Sequence, residues 1–241
     1  MRASSLIPVL LIASSLSLAQ HRSSKPAAQP QPPSAAPLGT VEFHNADVTV
    51  RKLDIPASGS EAVSADIHDY LLISYGNNSL RVTGYQTEFE LNFADGDIQV
   101  LQGGWPHTLN NESTHPAELV MVEVERNLFP KSARCGLGAK DCAETRYGQS
   151  GNGEYRQTTL FETDTANLYR ASLGSQVAMH QHEDPRPHLL IALTSFQGHA
   201  DDNSFTLRAS QVFWHDGTIH EIANDGSAQA RFLILELKRK Y

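Results

Sequence analysis

The sequence predicts an all-β protein made of two similar jelly-roll barrels packed as an internal pseudo-dimer. Two observations carry this expectation. The first is a succession of short β-branched and aromatic runs bounded by Gly, Asn and Asp turns, with no convincing long helical periodicity past residue 19. The second is internal repetition: Gly104-Trp-Pro-His107-Thr-Leu-Asn-Asn111 matches Gly217-Thr-Ile-His220-Glu-Ile-Ala-Asn224 at an offset of 113 residues. The match continues without a gap, so that Leu119-Val-Met-Val-Glu123-Val overlies Phe232-Leu-Ile-Leu-Glu236-Leu. Upstream, Tyr70-Leu-Leu-Ile-Ser-Tyr overlies His188-Leu-Leu-Ile-Ala-Leu at an offset of 118, with Gly59 set against Gly174 and Arg51 against Arg170. Each unit spans ~85–90 residues of short antiparallel strands, a size suited to a small two-sheet barrel that removes exposed sheet edges.

In chain order, Met1 to Ala19 reads as a secretory signal peptide. Arg2 forms its positive start, Leu6 to Leu18 its apolar stretch, and Ser17-Leu-Ala19 a small-residue cleavage site. The expectation is an exported protein, periplasmic or extracellular. Residues 20–39 carry Pro26, Pro30, Pro32, Pro33 and Pro37 among Ala, Gln and Ser, a composition that buries little apolar surface and reads as a disordered tether. The first barrel is expected over residues 40–130 and the second over 158–241. Between them, residues 131–157 read as a Gly-, Ser- and charge-rich connector holding the chain's two cysteines, Cys135 and Cys142. In an oxidising compartment that pair is expected to close a short disulfide loop.

The formal net charge is −8, and Arg2, Arg22 and Lys25 lie before residue 40 with no acid beside them. The rest of the chain carries 16 cations against 27 acids, a balance that repels phosphate backbones and excludes nucleic acid as an expected partner. No apolar run reaches the length of a membrane span. The partner expected is a small-molecule ligand or substrate, and the pseudo-dimeric plan leaves a homodimer open.

Eleven histidines are the chemical signal, through their order more than their number. Gly174-Ser-Gln-Val-Ala-Met179-His180-Gln-His182 ends a strand with two histidines at i and i+2, which regular alternation sends to one face. His220 follows the Asp216-Gly217 turn about one β-meander later, far enough for an antiparallel strand to return beside the first. Three imidazoles converging inside a barrel form a facial set suited to a divalent transition metal: Fe(II), Mn, Ni, Cu or Zn. His199 and His215 lie near turns, and His21, His44 and His115 read as surface.

These residues resemble the cupin superfamily. Its first motif is a Gly, five residues, His-x-His, a short spacer, an acid and a later Gly; Gly174, His180 and His182 fit, with Gly198 as the closing Gly. Its second motif, Pro-x-Gly-x-x-His-x-x-x-Asn, is met by His215-Asp-Gly217-Thr-Ile-His220-Glu-Ile-Ala-Asn224, with His215 in place of the Pro. The resemblance covers residues 40–126 and 158–239 and implies an exported bicupin. It also implies a fourth, acidic ligand near Arg186 or Pro187, where neither residue can ligate. The set is therefore three histidines, which is the favoured reading, or four completed by His188 or Asp184, with His188 the leading candidate for the fourth because Pro185 and Pro187 bend the chain. In the first unit Ser64, Asp66 and His68 stand where the His pair and acid belong. This leaves an Asp66/His68/His107 set open beside the reading of His107 as a buried, hydrogen-bonded remnant. The family implies dioxygenase, isomerase or decarboxylase chemistry without selecting among them; a non-catalytic small-ligand-binding module is the alternative. No residue stands out as a general base.

Overall fold

The computed structural model describes residues 38–125, 128, 133–137, 141–142, 146–150, 153–182, 186–200, 203–217 and 220–238; of residues 146–150, 153, 180–182 and 220 it describes the backbone alone. The expected signal peptide and all but the last two residues of the tether lie outside that range. Those two are anchored: Leu38 is buried in the first barrel, and the Gly39 amide donates to Glu61 Oε1 at 2.9 Å.

Among the described residues every element is a strand and every pairing is antiparallel. The first barrel comprises β1 (Thr40–His44), β2 (Val48–Ile55), β3 (Ser60–Val63), β4 (Tyr70–Tyr75), β5 (Asn78–Gly84), β6 (Thr87–Phe93), β7 (Ile98–Leu101), β8 (His107–Asn111) and β9 (Ala117–Val124). They form a five-stranded sheet, β1-β2-β9-β4-β7, facing a four-stranded sheet, β3-β8-β5-β6. The second comprises β10 (Arg146–Ser150), β11 (Gly153–Glu162), β12 (Ala166–Leu173), β13 (Val177–His182), β14 (His188–Ala192), β15 (Phe196–Ala200), β16 (Asn203–Leu207), β17 (Val212–His215), β18 (His220–Asn224) and β19 (Ala230–Leu237). Its sheets run β10-β11-β12-β19-β14-β17 and β13-β18-β15-β16. Apart from β10, which has no counterpart in the first barrel, the two orders match strand for strand, so the sequence repeat is a repeat of topology. Strands β10 and β11 start inside the stretch read from sequence as connector and extend the second barrel's larger sheet. Cys135 and Cys142 are joined in a disulfide, and Cys135 forms a bridge to Glu162 at the end of β11.

The middle strands of the larger sheets lack polar alternation because both their faces are buried. In β4, Tyr70 and Leu72 enter the first barrel's interior while Leu71 and Ile73 face outward into a core shared by the two barrels. In β14, Leu190 and Ala192 point inward and Leu189 and Ile191 outward, into that same shared core. Val120, Val122 and Val124 of β9 and Leu233, Leu235 and Leu237 of β19 complete the seam. Burying each such side chain contributes ~1.5–3 kcal/mol. Polar ties cross the seam as well: Tyr75 Oη donates to Ala192 O at 2.9 Å, and Arg170 Nη2 to Gly96 O at 2.8 Å.

Strand register sets the equivalences. Glu123 faces Thr49 and Tyr70 across its two neighbours, and Glu236 faces Asn167 and His188. One equivalence from sequence is corrected by a residue: Arg51 faces Met121, and the residue facing Ile234 is Tyr169, so Arg51 corresponds to Tyr169 and not to Arg170.

Candidate functional site

In the second barrel, β13 and β18 pair as Val177↔Asn224, Ala178↔Ala223 and Met179↔Ile222, and then resume at His182↔His220 after a one-residue shift. The i, i+2 alternation expected from sequence therefore does not run unbroken through residues 180–182; an irregularity of this kind re-aims a strand locally. The backbones of His182 and His220 are cross-strand partners, two positions along β18 from the buried Ile222. The side chains of His180, His182 and His220 lie outside the described residues, as does Asp184.

His188 is described in full. It is 3% exposed and in step with Leu190, on the interior face of β14. Its Nδ1 lies 3.2 Å from Arg186 O. A carbonyl only accepts, so Nδ1 carries the proton, and in the neutral ring the lone pair is then on Nε2. His215, its partner on β17, stacks on it with ring centroids 5.1 Å apart, and His215 Nδ1 accepts the Gly217 amide at 3.2 Å. Beside them, Glu236 is buried on the same interior face. Its Oε2 accepts from Asn167 Nδ2 at 3.1 Å and Tyr169 Oη at 3.3 Å, with Arg186 Nη1 at 3.5 Å. Burial, reinforced by the Glu236 charge, pushes the Tyr169 phenol up to about 12.

The first barrel has a different interior. Tyr70 replaces His188 at the equivalent position, and its Oη lies 2.5 Å from His107 Nε2. His107 Nδ1 donates to Trp105 O at 2.9 Å, and the Trp105 ring stacks on the imidazole at 4.1 Å. Both ring nitrogens of His107 are thus satisfied within the protein, and burial holds its pKa below the ordinary histidine value. The Asp66/His68/His107 set left open by the sequence is not assembled. Asp66 accepts from Ser64 Oγ, and His68 turns toward the last strand, where its Nδ1 lies 3.1 Å from Glu123 Oε1 and 3.3 Å from Glu125 Oε2. The ligand atoms of His68, Glu123 and Glu125 all lie within 4.8 Å of one another, a grouping able to hold a metal ion. Beside His68 a cleft of ~290 Å³ is lined by Asp66, Ile67, Asp69, Gly103 and Gly104 among others.

No family model matches the chain, and no curated protein matches it in sequence. Solved structures do. A cupin 2 conserved barrel domain protein from Leptotrichia buccalis is 9% identical, with a TM-score of 0.53 over 81% of this chain and 86% of its own. AerE from Microcystis aeruginosa is 10% identical, with a TM-score of 0.58 over 82% and 90%. Oxalate decarboxylase from Bacillus subtilis, a protein with Mn(II) centres, is 14% identical, with a TM-score of 0.54 over 81% and 70%. The chain has the bicupin fold.

In this fold the shared Asn of the two repeats has a structural task. Asn224, fully buried, donates through Nδ2 to Leu173 O, Gly174 O and Ala228 O and accepts the Gly226 amide. Asn111 does the same for Ile55 O, Pro56 O, His115 O and the Ser113 amide. Gly198 is required by packing, since a Cβ there would stand 2.3 Å from Ala223 O. Among the described residues no helix is long and apolar enough to cross a membrane. Sequence reasoning passed over Glu123, Glu125, Glu236, Tyr169 and Asn167 as chemistry. The register match of Glu123 with Glu236 was the signal available for the first and third.

Proposed function

We propose that this bicupin is an exported metal-binding protein. Its second barrel holds a divalent transition metal (Fe, Mn, Ni, Cu or Zn) through His180, His182 and His220 with His188 as the fourth ligand, and it acts on a small organic molecule by dioxygenase- or isomerase-type chemistry. The observation that carries the reading is His188: buried, interior, and with its Nδ1 proton tied to Arg186 O so that Nε2 is the ligating nitrogen. The His182↔His220 backbone pairing supports it, since it sets the two residues opposite one another on neighbouring strands. When bound, such an ion polarises a carbonyl or carboxylate or activates O2. The protein's own part is to orient the donors. The Arg186 carbonyl sets the His188 tautomer, the His215 ring braces it, and Glu236, fixed by Asn167 and Tyr169, presents a buried carboxylate directly across the strand pair from His188. The Cys135–Cys142 disulfide supports export.

Elemental analysis of wild-type protein beside His182→Ala and His220→Ala tests the reading. Each variant is expected to lose about one metal equivalent per chain. Unchanged metal content in both variants, each folded by circular dichroism, refutes it. Turnover of small acids or diketones, followed with O2 uptake by the metal-loaded protein, then separates catalysis from ligand capture, which only raises the melting temperature.

A further inference from the structure

We infer that the mouth of the first barrel is a second, separate divalent-cation site formed by His68, Glu123 and Glu125. His68 lies in the segment of the first cupin motif, but Glu123 and Glu125 do not stand at positions that either motif assigns to ligands, and the inference does not depend on the second-barrel reading.

The geometry comes first. One imidazole nitrogen faces two carboxylates at 3.1 and 3.3 Å. The Glu123 side chain is 6% exposed, whereas those of Glu125 and His68 are 30% and 52% exposed, so the group is buried at its base and open to an ion at its rim. Glu123 Oε1 also accepts the His68 amide at 3.0 Å, which fixes the carboxylate relative to the ring. The segment carrying His68 is clamped from below. Gly104 N donates to Ile67 O, Gly103 N donates to Asp69 Oδ1, and a Cβ on Gly103 would stand 2.3 Å from the His68 carbonyl. An exposed histidine in a preset orientation is a donor with little ordering entropy left to lose on binding.

The second copy supplies the independent observation. Val124 N donates to Asp69 O in one barrel and Leu237 N to Pro187 O in the other, which fixes the correspondence on both sides of the site. His68 then corresponds to Arg186, Glu123 to Glu236, and Glu125 to Lys238. The second barrel fills two of the three places with permanent cations: Arg186 lies against Glu236, and Lys238 reaches Glu162. The first barrel keeps the buried glutamate, turns Lys into Glu, and puts a ligating imidazole where the guanidinium stands. Two carboxylates against at most one proton on His68 leave a net negative charge among these three groups, with the buried Asp69 carboxylate close by. A divalent cation removes that excess. One nitrogen and two carboxylate donors suit Zn(II) or Mn(II), and the proton on Nδ1 passes to solvent as the ion binds.

The experiment is Zn(II) titration of the full chain by calorimetry and by elemental analysis after dialysis. The variants are Glu125→Gln, Glu125→Lys, which recreates the charge pattern of the second copy, and His68→Ala. Each is expected to bind one Zn(II) fewer than wild type, with an unchanged circular dichroism spectrum. His182→Ala retains this equivalent, so the two sites fail or survive separately. If Glu125→Gln and His68→Ala bind as much Zn(II) as wild type, the three residues are only an ion pair and the inference is overturned.

Discussion

Replacing Asn224 by Ala should destabilise the protein without touching the proposed metal set. Asn224 is fully buried, and its amide lies 3.2, 2.9 and 2.8 Å from the carbonyls of Leu173, Gly174 and Ala228, while its Oδ1 accepts the Gly226 amide at 3.0 Å. Two amide hydrogens serve the three carbonyls, so the net count is about three bonds at ~1 kcal/mol each, giving a loss of about 3 kcal/mol. In a body of this size that corresponds to a fall of ~6–12 °C in Tm. Thermal and urea unfolding followed by circular dichroism measure it, with metal content determined in parallel. Asn111→Ala removes the same set of bonds from the first barrel and should cost a similar amount. A loss below ~1 kcal/mol in both variants, or loss of metal from a folded Asn224→Ala protein, would refute the assignment of these residues to strand closure.

Two further outcomes concern the first barrel. Tyr70→Phe leaves His107 Nε2 buried without its phenol partner and should cost ~1–3 kcal/mol in urea unfolding; a neutral result would mean that the 2.5 Å contact carries no stability. Burial keeps the His107 pKa below its unfolded value, so as pH falls through about 6.5 the unfolded chain takes up the proton first and stability declines. Wild-type protein should therefore lose more stability than His107→Gln between about pH 7 and pH 5, and parallel curves would exclude His107 as the source.

The fold was legible because the repeat and the short strands both follow from side-chain alternation, which sequence records directly. The seam was legible in part. Tyr70–Ile73 and Leu189–Ala192 read as unbroken apolar runs, as strands buried on both faces must. Positions that depend on pairing across long separations were harder to read. Glu236 gains its surroundings from Asn167 and His188 on neighbouring strands, and nothing local to Leu235-Glu236-Leu237 announces a buried carboxylate with three donors around it. His68 was grouped with Asp66 and His107 by proximity in the motif, but the loop before β4 turns it to the last strand instead. The one-residue shift between Met179 and His182 has no sequence signature, because an irregularity is set by how β13 meets β18 and not by β13 alone.

Strand β14 joins two tasks in one backbone. His188 and Leu190 belong to the barrel interior, and Leu189 and Ile191, one residue removed from them, belong to the seam. Interiors packed at crystal-like density transmit strain, so a substitution that shifts this five-residue strand disturbs the barrel interior and the seam shared with Leu71 and Ile73 together. Through Tyr70, the neighbour of Leu71, the same chain of contacts ends on His107.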